Sequence, residues 1–153
     1  MSFSAIGSAV AKQARKAVIK AALDLEALAK TEIQTGAKSG KTYRIPINTT
    51  DGEDGSASVS MIEHQASAPG EAPANLFGVL AGSIQTEPSD DPTEAEAAVR
   101  VYAEYGAALE LGREDGSIEP RPFIRPAADR IEKGFAQRVG KAVQAGVREG
   151  AEQ

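Results

Sequence analysis

Apolar residues recur at three- and four-residue spacing from Ile6 through Val10, Ala14, Ala17, Ala21 and Leu25 to Leu28, with Ile33 five residues on. Lys12, Arg15, Lys16, Lys20 and Glu26 lie mostly off that stripe. The period predicts one helix from Ser4 to about Gln34, capped by Ser2 or Ser4 and stopped near Gly36. A helix of that length spans roughly 45 Å. Its stripe is largely alanine, which permits close approach but buries little area per residue. It needs a partner along part of its length, either the C-terminal helix or a neighbouring subunit.

Alternation then replaces the helical period. Thr42 to Ile47 reads as a strand, with Pro46 pointing to an edge position. Asp51 to Gly55 reads as a turn, and Ser56 to Ile62 as a weaker return strand. Ala66 to Asn75 contains Pro69, Gly70 and Pro73 and is expected to be an extended loop. Asn75 is a candidate cap for a short helix over Leu76–Ala81, followed by a strand over Ser83–Glu87. Pro88 to Pro92 turns the chain into a strand over Ala95–Ala103, with Val99, Val101 and Ala103 on one side.

Tyr105 to Leu111 reads as a short helix ended by Gly112. An acidic loop runs from Arg113 to Glu119, and Pro120-Arg121-Pro122 stiffens the return so that Phe123 and Ile124 enter something apolar. From Pro126 to about Glu149 the chain is helical again, with Ala127, Ile131, Phe135, Val139, Val143 and Val147 as the stripe. Gly134, Gly140 and Gly146 each cost about 1 kcal/mol relative to alanine there, so the distal half is expected to fray or to order on assembly. The fold class is α+β: a small antiparallel sheet of about four strands, packed by a long N-terminal and a long C-terminal helix. Residues 1–153 form one domain, with an extended hairpin and loop over 40–75.

The net charge of −5 is unevenly spread. Residues 51–119 carry fifteen acids against two arginines, whereas both terminal segments are mildly basic. Two readings stand: a solvated acidic surface, or an acidic wall that repels phosphates so that DNA passes without sticking. With no cysteine there is neither a disulfide framework nor thiolate chemistry. No apolar run approaches a membrane span and the N-terminus lacks a signal peptide's apolar core, so a soluble protein made in a cytoplasm is expected. Few aromatics argue against stacking on bases.

Each candidate for chemistry weakens on inspection. Gly36 to Thr42 resembles a phosphate-binding loop, but has three residues between its glycines where four are needed. It also follows a helix instead of preceding one. The acidic turn at 51–55 puts Ile62 where a calcium loop needs its closing glutamate. His64, the lone histidine, lacks a nucleophile and an orienting partner and is expected to be a hydrogen-bonding loop residue. Glu104 and Glu110, six residues apart across a strand-to-helix change, give no dependable carboxylate pair. Glu110 is better read as a structural anchor, accepting from Arg121 or Arg125. Arg121, Arg125 and Arg130 are candidates for gripping phosphates or for bridging to a neighbouring subunit's acidic loop; the second is preferred. No catalytic, cofactor-binding or metal-ligating residue is expected, and no enzyme activity.

Tyr102-Ala103-Glu104-Tyr105 with Glu110-Leu111-Gly112, followed by Arg121-Pro122-Phe123-Ile124-Arg125-Pro126-Ala127, resembles the paired motif of a family of bacteriophage tail-completion (neck) proteins, roughly YA-x-Y-x-E-x-G … RPF-[IL]-x-PA. Gln65 to Ala74 and Gly78-x-Leu80-x-x-Ser83-Ile84 are similar to the same family's middle part. Together these span about residues 40–127 in the family's order. One departure is that Gly106-Ala107-Ala108 lengthens the element between Tyr-Ala and Glu-x-Gly.

The resemblance implies a structural virion protein of the neck of long-tailed phages. It would form a ring, six-fold like the tail tube, at the head-proximal end of the tail. Implied partners are further copies of itself, the tail tube protein and a head-closure or connector protein. DNA would pass through the channel without sequence-specific binding, and no membrane is involved. The expected subunit contacts are Tyr102, Tyr105, Glu110, Arg121, Phe123 and Arg125, with part of Tyr43–Ala74 reaching a neighbour or the tube. The alternatives are a tail terminator or other minor virion protein and, from a different class, a small cytosolic nucleotide-binding protein or enzyme.

Overall fold

The computed structural model describes residues 2–50 and 57–152. Their order is α1 (Phe3–Thr35), β1 (Thr42–Thr50), β2 (Ala57–Gln65), α2 (Val79–Gly82), β3 (Ile84–Pro88), β4 (Ala97–Val101), α3 (Gly106–Leu111) and α4 (Ile124–Ala151). The class is α+β with long terminal helices, as the periodicity predicts. The acidic turn expected at 51–55 lies outside the described residues.

The two long helices run antiparallel, and their contact is the most extensive between any two elements. Three ion pairs mark the register: Lys12–Glu149 at 3.0 Å, Asp24–Arg138 at 2.7 Å and Glu32–Arg130 at 2.5 Å. Arg130 is thus engaged within its own chain. Close approach depends on glycine. A Cβ on Gly146 would lie 2.5 Å from Val10 Cα, and one on Gly150 would collide with the Ile6 backbone. Gly146 is therefore a packing requirement of the distal half of α4, which is helical to Ala151.

The expected stripe drifts off this contact. Each four-residue step turns about 40° past a full helical turn, so a series from Ala127 to Val147 walks round the helix. Ala127 is fully buried while Val147 is exposed, and Gly146 and Gly150 take its place against α1.

The strands form two separate two-stranded antiparallel sheets, β1–β2 and β3–β4, not a single four-stranded one. The loop between them explains the division. Gly70 N–H donates to the Pro120 carbonyl at 2.9 Å, and the Arg121 guanidinium to the Ser67 carbonyl at 3.3 Å. The chain is thereby carried across to the segment before α4, and β3 starts against α1 instead of beside β2. His64 lies within β2, opposite Tyr43, not in a loop. The short helix starts later than expected, with Gly78 at φ 76° as its N-cap in place of Asn75.

The core gathers Ala29 and Ile33 of α1, Leu80 and Ala81 of α2, Ile84 of β3, Phe123, and Ala127 of α4. The β1–β2 hairpin stands apart from it. Neither strand packs extensively on any other described helix or strand, and Val59 and Met61 are 67% and 57% exposed.

Candidate assembly surface

The segment from β4 to α4 folds as one unit around a single carboxylate. Glu110 sits on the last turn of α3. Its Oε2 accepts from the backbone N–H groups of Phe123 at 2.7 Å and Ile124 at 2.9 Å, and its Oε1 from that of Arg125 at 2.8 Å. These are N–H groups that the start of a helix leaves without intrahelical partners. A negative charge there is also favoured by the helix dipole. Glu110 is thus the anchor the sequence suggests, but it holds the backbone at Phe123–Arg125 and not a guanidinium.

Two neighbours complete the unit. Arg121 N–H donates to the Leu109 carbonyl at 2.6 Å. Gly112, at φ 77°, lies so close to Pro120 that an added Cβ would come within 2.9 Å of its ring. Phe123 is thereby driven into the core, where it is fully buried.

Of the six residues expected at subunit contacts, half-buried Glu110 and fully buried Phe123 therefore serve the fold of their own chain. Arg121 is half-buried, held by the Ser67 carbonyl and by the Glu119 carbonyl at 3.0 Å. Tyr102, Tyr105 and the Arg125 side chain reach solvent. The Tyr102 hydroxyl donates to Glu87, whose other oxygen takes Arg100 at 2.5 Å. Tyr105 lines a shallow cleft of about 150 Å³ with Leu76, Phe77, Val79, Leu80 and Leu109.

Phe77 and Val79 are 65% and 61% exposed, and Leu111 at the end of α3 is 74% exposed. The sequence reading missed all three as surface residues. An apolar pair flanking Gly78 in a segment too short for a helical stripe is the signal that could have found them. Comparison with protein-family models, curated proteins and solved structures gave no match.

Two acidic loops of the middle are exposed, Asp90, Asp91, Glu94 and Glu96 before β4, and Glu114, Asp115 and Glu119 after α3, whereas Glu71, Glu87 and Glu110 are half-buried. Arg15 of α1 holds the first of these loops through its backbone, donating to the carbonyls of Ser89 at 2.8 Å, Asp91 at 2.7 Å and Glu94 at 2.7 Å. Hydrogen bonds from Thr93 hold the Asp91 carboxyl below its usual range, and those from Ser117 do the same for Asp115. Among the described residues, no group of three or more His, Asp or Glu is placed to hold a metal ion. No described helix is long and apolar enough to cross a membrane.

Proposed function

We propose that this chain is a structural virion protein of a phage neck, forming a ring at the head-proximal end of the tail that completes the tail and joins it to the head. The Glu110 cap is the observation that carries the reading. It ties the Tyr-Ala…Glu-Leu-Gly half of the neck-like motif to the Arg-Pro-Phe-Ile-Arg-Pro-Ala half. That supports taking the two halves as one motif and not as two chance matches.

Two further features favour an assembly part. Phe77, Val79 and Tyr105 are exposed around one shallow cleft, the kind of apolar patch that a neighbouring subunit covers. A two-stranded hairpin without support is marginally stable in water, and β1–β2 gains its support when a neighbour covers it. On this reading the partners are further copies in a hexameric ring, the tail tube protein and the head-closure protein. The exposed acidic loops border a channel through which DNA moves without sequence-specific contact. The protein acts by position, without catalysis or cofactor, in the virion, after synthesis in the bacterial cytoplasm.

The test is mass spectrometry of purified particles together with electron microscopy of the recombinant chain. The expected result is the protein present in particles and six-fold rings in the micrographs. Absence from particles, or stabilisation by a nucleotide in a thermal-shift screen of a chain that remains monomeric, overturns it.

A further inference from the structure

Four strand edges of this fold have no neighbouring strand among the described residues, and they are not equivalent. In the β1–β2 hairpin the Ala66 N–H donates to the Lys41 carbonyl, which sets the phase of the ladder. The backbone groups of Tyr43, Ile45 and Ile47 point at β2, and those of Arg44, Pro46 and Asn48 point away. The middle of that outer edge is thus a proline, which has no N–H to offer.

In β3–β4 the Tyr102 N–H donates to the Ser83 carbonyl and the Ser89 N–H to the Glu96 carbonyl. Ile84, Thr86 and Pro88 then hold the outward positions of β3. Pro88 again lacks the donor, and Thr86 faces the carboxylate of Glu26. Two edges keep every N–H. On β2 the outward positions are Val59, Met61 and Glu63, and on β4 they are Ala97, Val99 and Val101.

We infer that the β2 edge of one copy docks antiparallel on the β4 edge of a second copy, with Met61 opposite Val99 and Val59 opposite Val101. Directly opposed residues of an antiparallel pair share a face. Bonding through the outward groups of both strands therefore places Val59 and Met61 on the face of β4 that carries Ala97 and Val99. That face borders an open apolar groove of about 300 Å³, floored by Val18, Ala22 and Leu25 of α1 and walled by Ile131 and Phe135 of α4. Met61, opposite Val99, thus enters the apolar groove, and Val59 lies on the same face beside Val101. A parallel approach puts Ser60 and Ile62 there instead and leaves Val59 and Met61 in water.

Charge agrees with this register. It brings Lys41, exposed at the hairpin base, to within one strand of the exposed Glu94 and Glu96 that precede β4. Glu63, opposite Ala97, arrives already paired with Arg44 at 3.4 Å. The occupant is a second copy and not the chain's own hairpin, because the hairpin base is pinned elsewhere. The loop that leaves it is tied to the segment before α4, Gly70 N–H donating to the Pro120 carbonyl at 2.9 Å and the Arg121 guanidinium to the Ser67 carbonyl at 3.3 Å. Donor and acceptor are different surfaces, so the contact is head-to-tail and closes into a ring when its rotation permits. The inference rests on the assembly reading only in requiring that copies of this chain meet.

Cysteine crosslinking tests it cleanly, since the chain has no cysteine. Opposed residues of a hydrogen-bonded antiparallel pair lie about 5.5 Å apart at Cα, inside disulfide range. The double variant Met61→Cys/Val99→Cys should give a ladder of covalent multimers on oxidation. Ser60→Cys/Val99→Cys, one residue out of register and on opposite faces, should stay monomeric on a non-reducing gel. Met61→Asp should keep the parent's circular dichroism and Tm while self-association weakens by about tenfold or more, because a charge enters an apolar groove. Rings that form without the Met61–Val99 crosslink, or Met61→Asp assembling like the parent, overturn this docking and leave the neck reading standing. A chain that sediments as a monomer at every concentration also overturns it. The crosslink in a chain absent from virions supports the docking and removes the neck reading.

Discussion

The Glu110 carboxylate stands 2.7 Å from the backbone nitrogen of Phe123, and through that bond a six-residue helix sets where a 28-residue helix begins. Replacing Glu110 with alanine removes the partner of three backbone donors. The expected loss is about 2 kcal/mol of folding stability, read by urea denaturation. Glu110→Gln keeps one acceptor oxygen and should lose roughly half as much.

Glycines of α4 should divide by what they face. Gly134 and Gly140 have open space where a Cβ would sit, so alanine there should add about 0.5–1 kcal/mol each. Alanine at Gly146 meets the Val10 backbone and should cost about 1–3 kcal/mol by forcing the helices apart. Thermal melts of the three single variants, shifting in opposite directions, check this.

Acid should loosen the ion pairs of α1. Lys20, and then Arg138, hold the Asp24 carboxyl below its ordinary value of 3.8, and Lys30 holds Glu26 below 4.5. A carboxyl whose pKa is lower in the folded state contributes stability that is present above its unfolded pKa. That contribution is lost as pH falls through the folded value. Unfolding free energy should therefore be flat from neutrality to about pH 4.5 and decline below it. Asp24→Asn should lower the plateau and flatten the decline.

Arg15 grips three carbonyls with one planar fork, a geometry lysine does not reproduce. Arg15→Lys should raise hydrogen exchange and proteolysis across residues 88–96 while leaving the Tm nearly unchanged. Uniform protection throughout that loop would show that the grip is dispensable.

Helix α1 was legible almost to the residue, because its apolar spacing mixes threes and fours and so keeps to one face. The C-terminal apolar series is spaced at fours alone and turns away from α1, and Gly146, which weakens an isolated helix, makes the contact. Strand existence was legible from alternation. The grouping of strands was not, because separation into two sheets depends on tertiary bonds such as Gly70 to Pro120 that leave no periodic trace. At the candidate site, Glu110 is readable as an anchor because its spacing from Glu104 gives no dependable carboxylate pair. Its true partners are backbone donors, which no residue type announces. Phe123 was expected to enter an apolar environment and does so within its own chain.

Pro46 also bears on behaviour at high concentration. By removing a donor from the middle of the outer β1 edge, it leaves the projecting hairpin sticky along one side only. A threonine in its place would make both sides adhesive, and linear or circular growth would give way to branching, seen as gelation or precipitation of an otherwise clear solution.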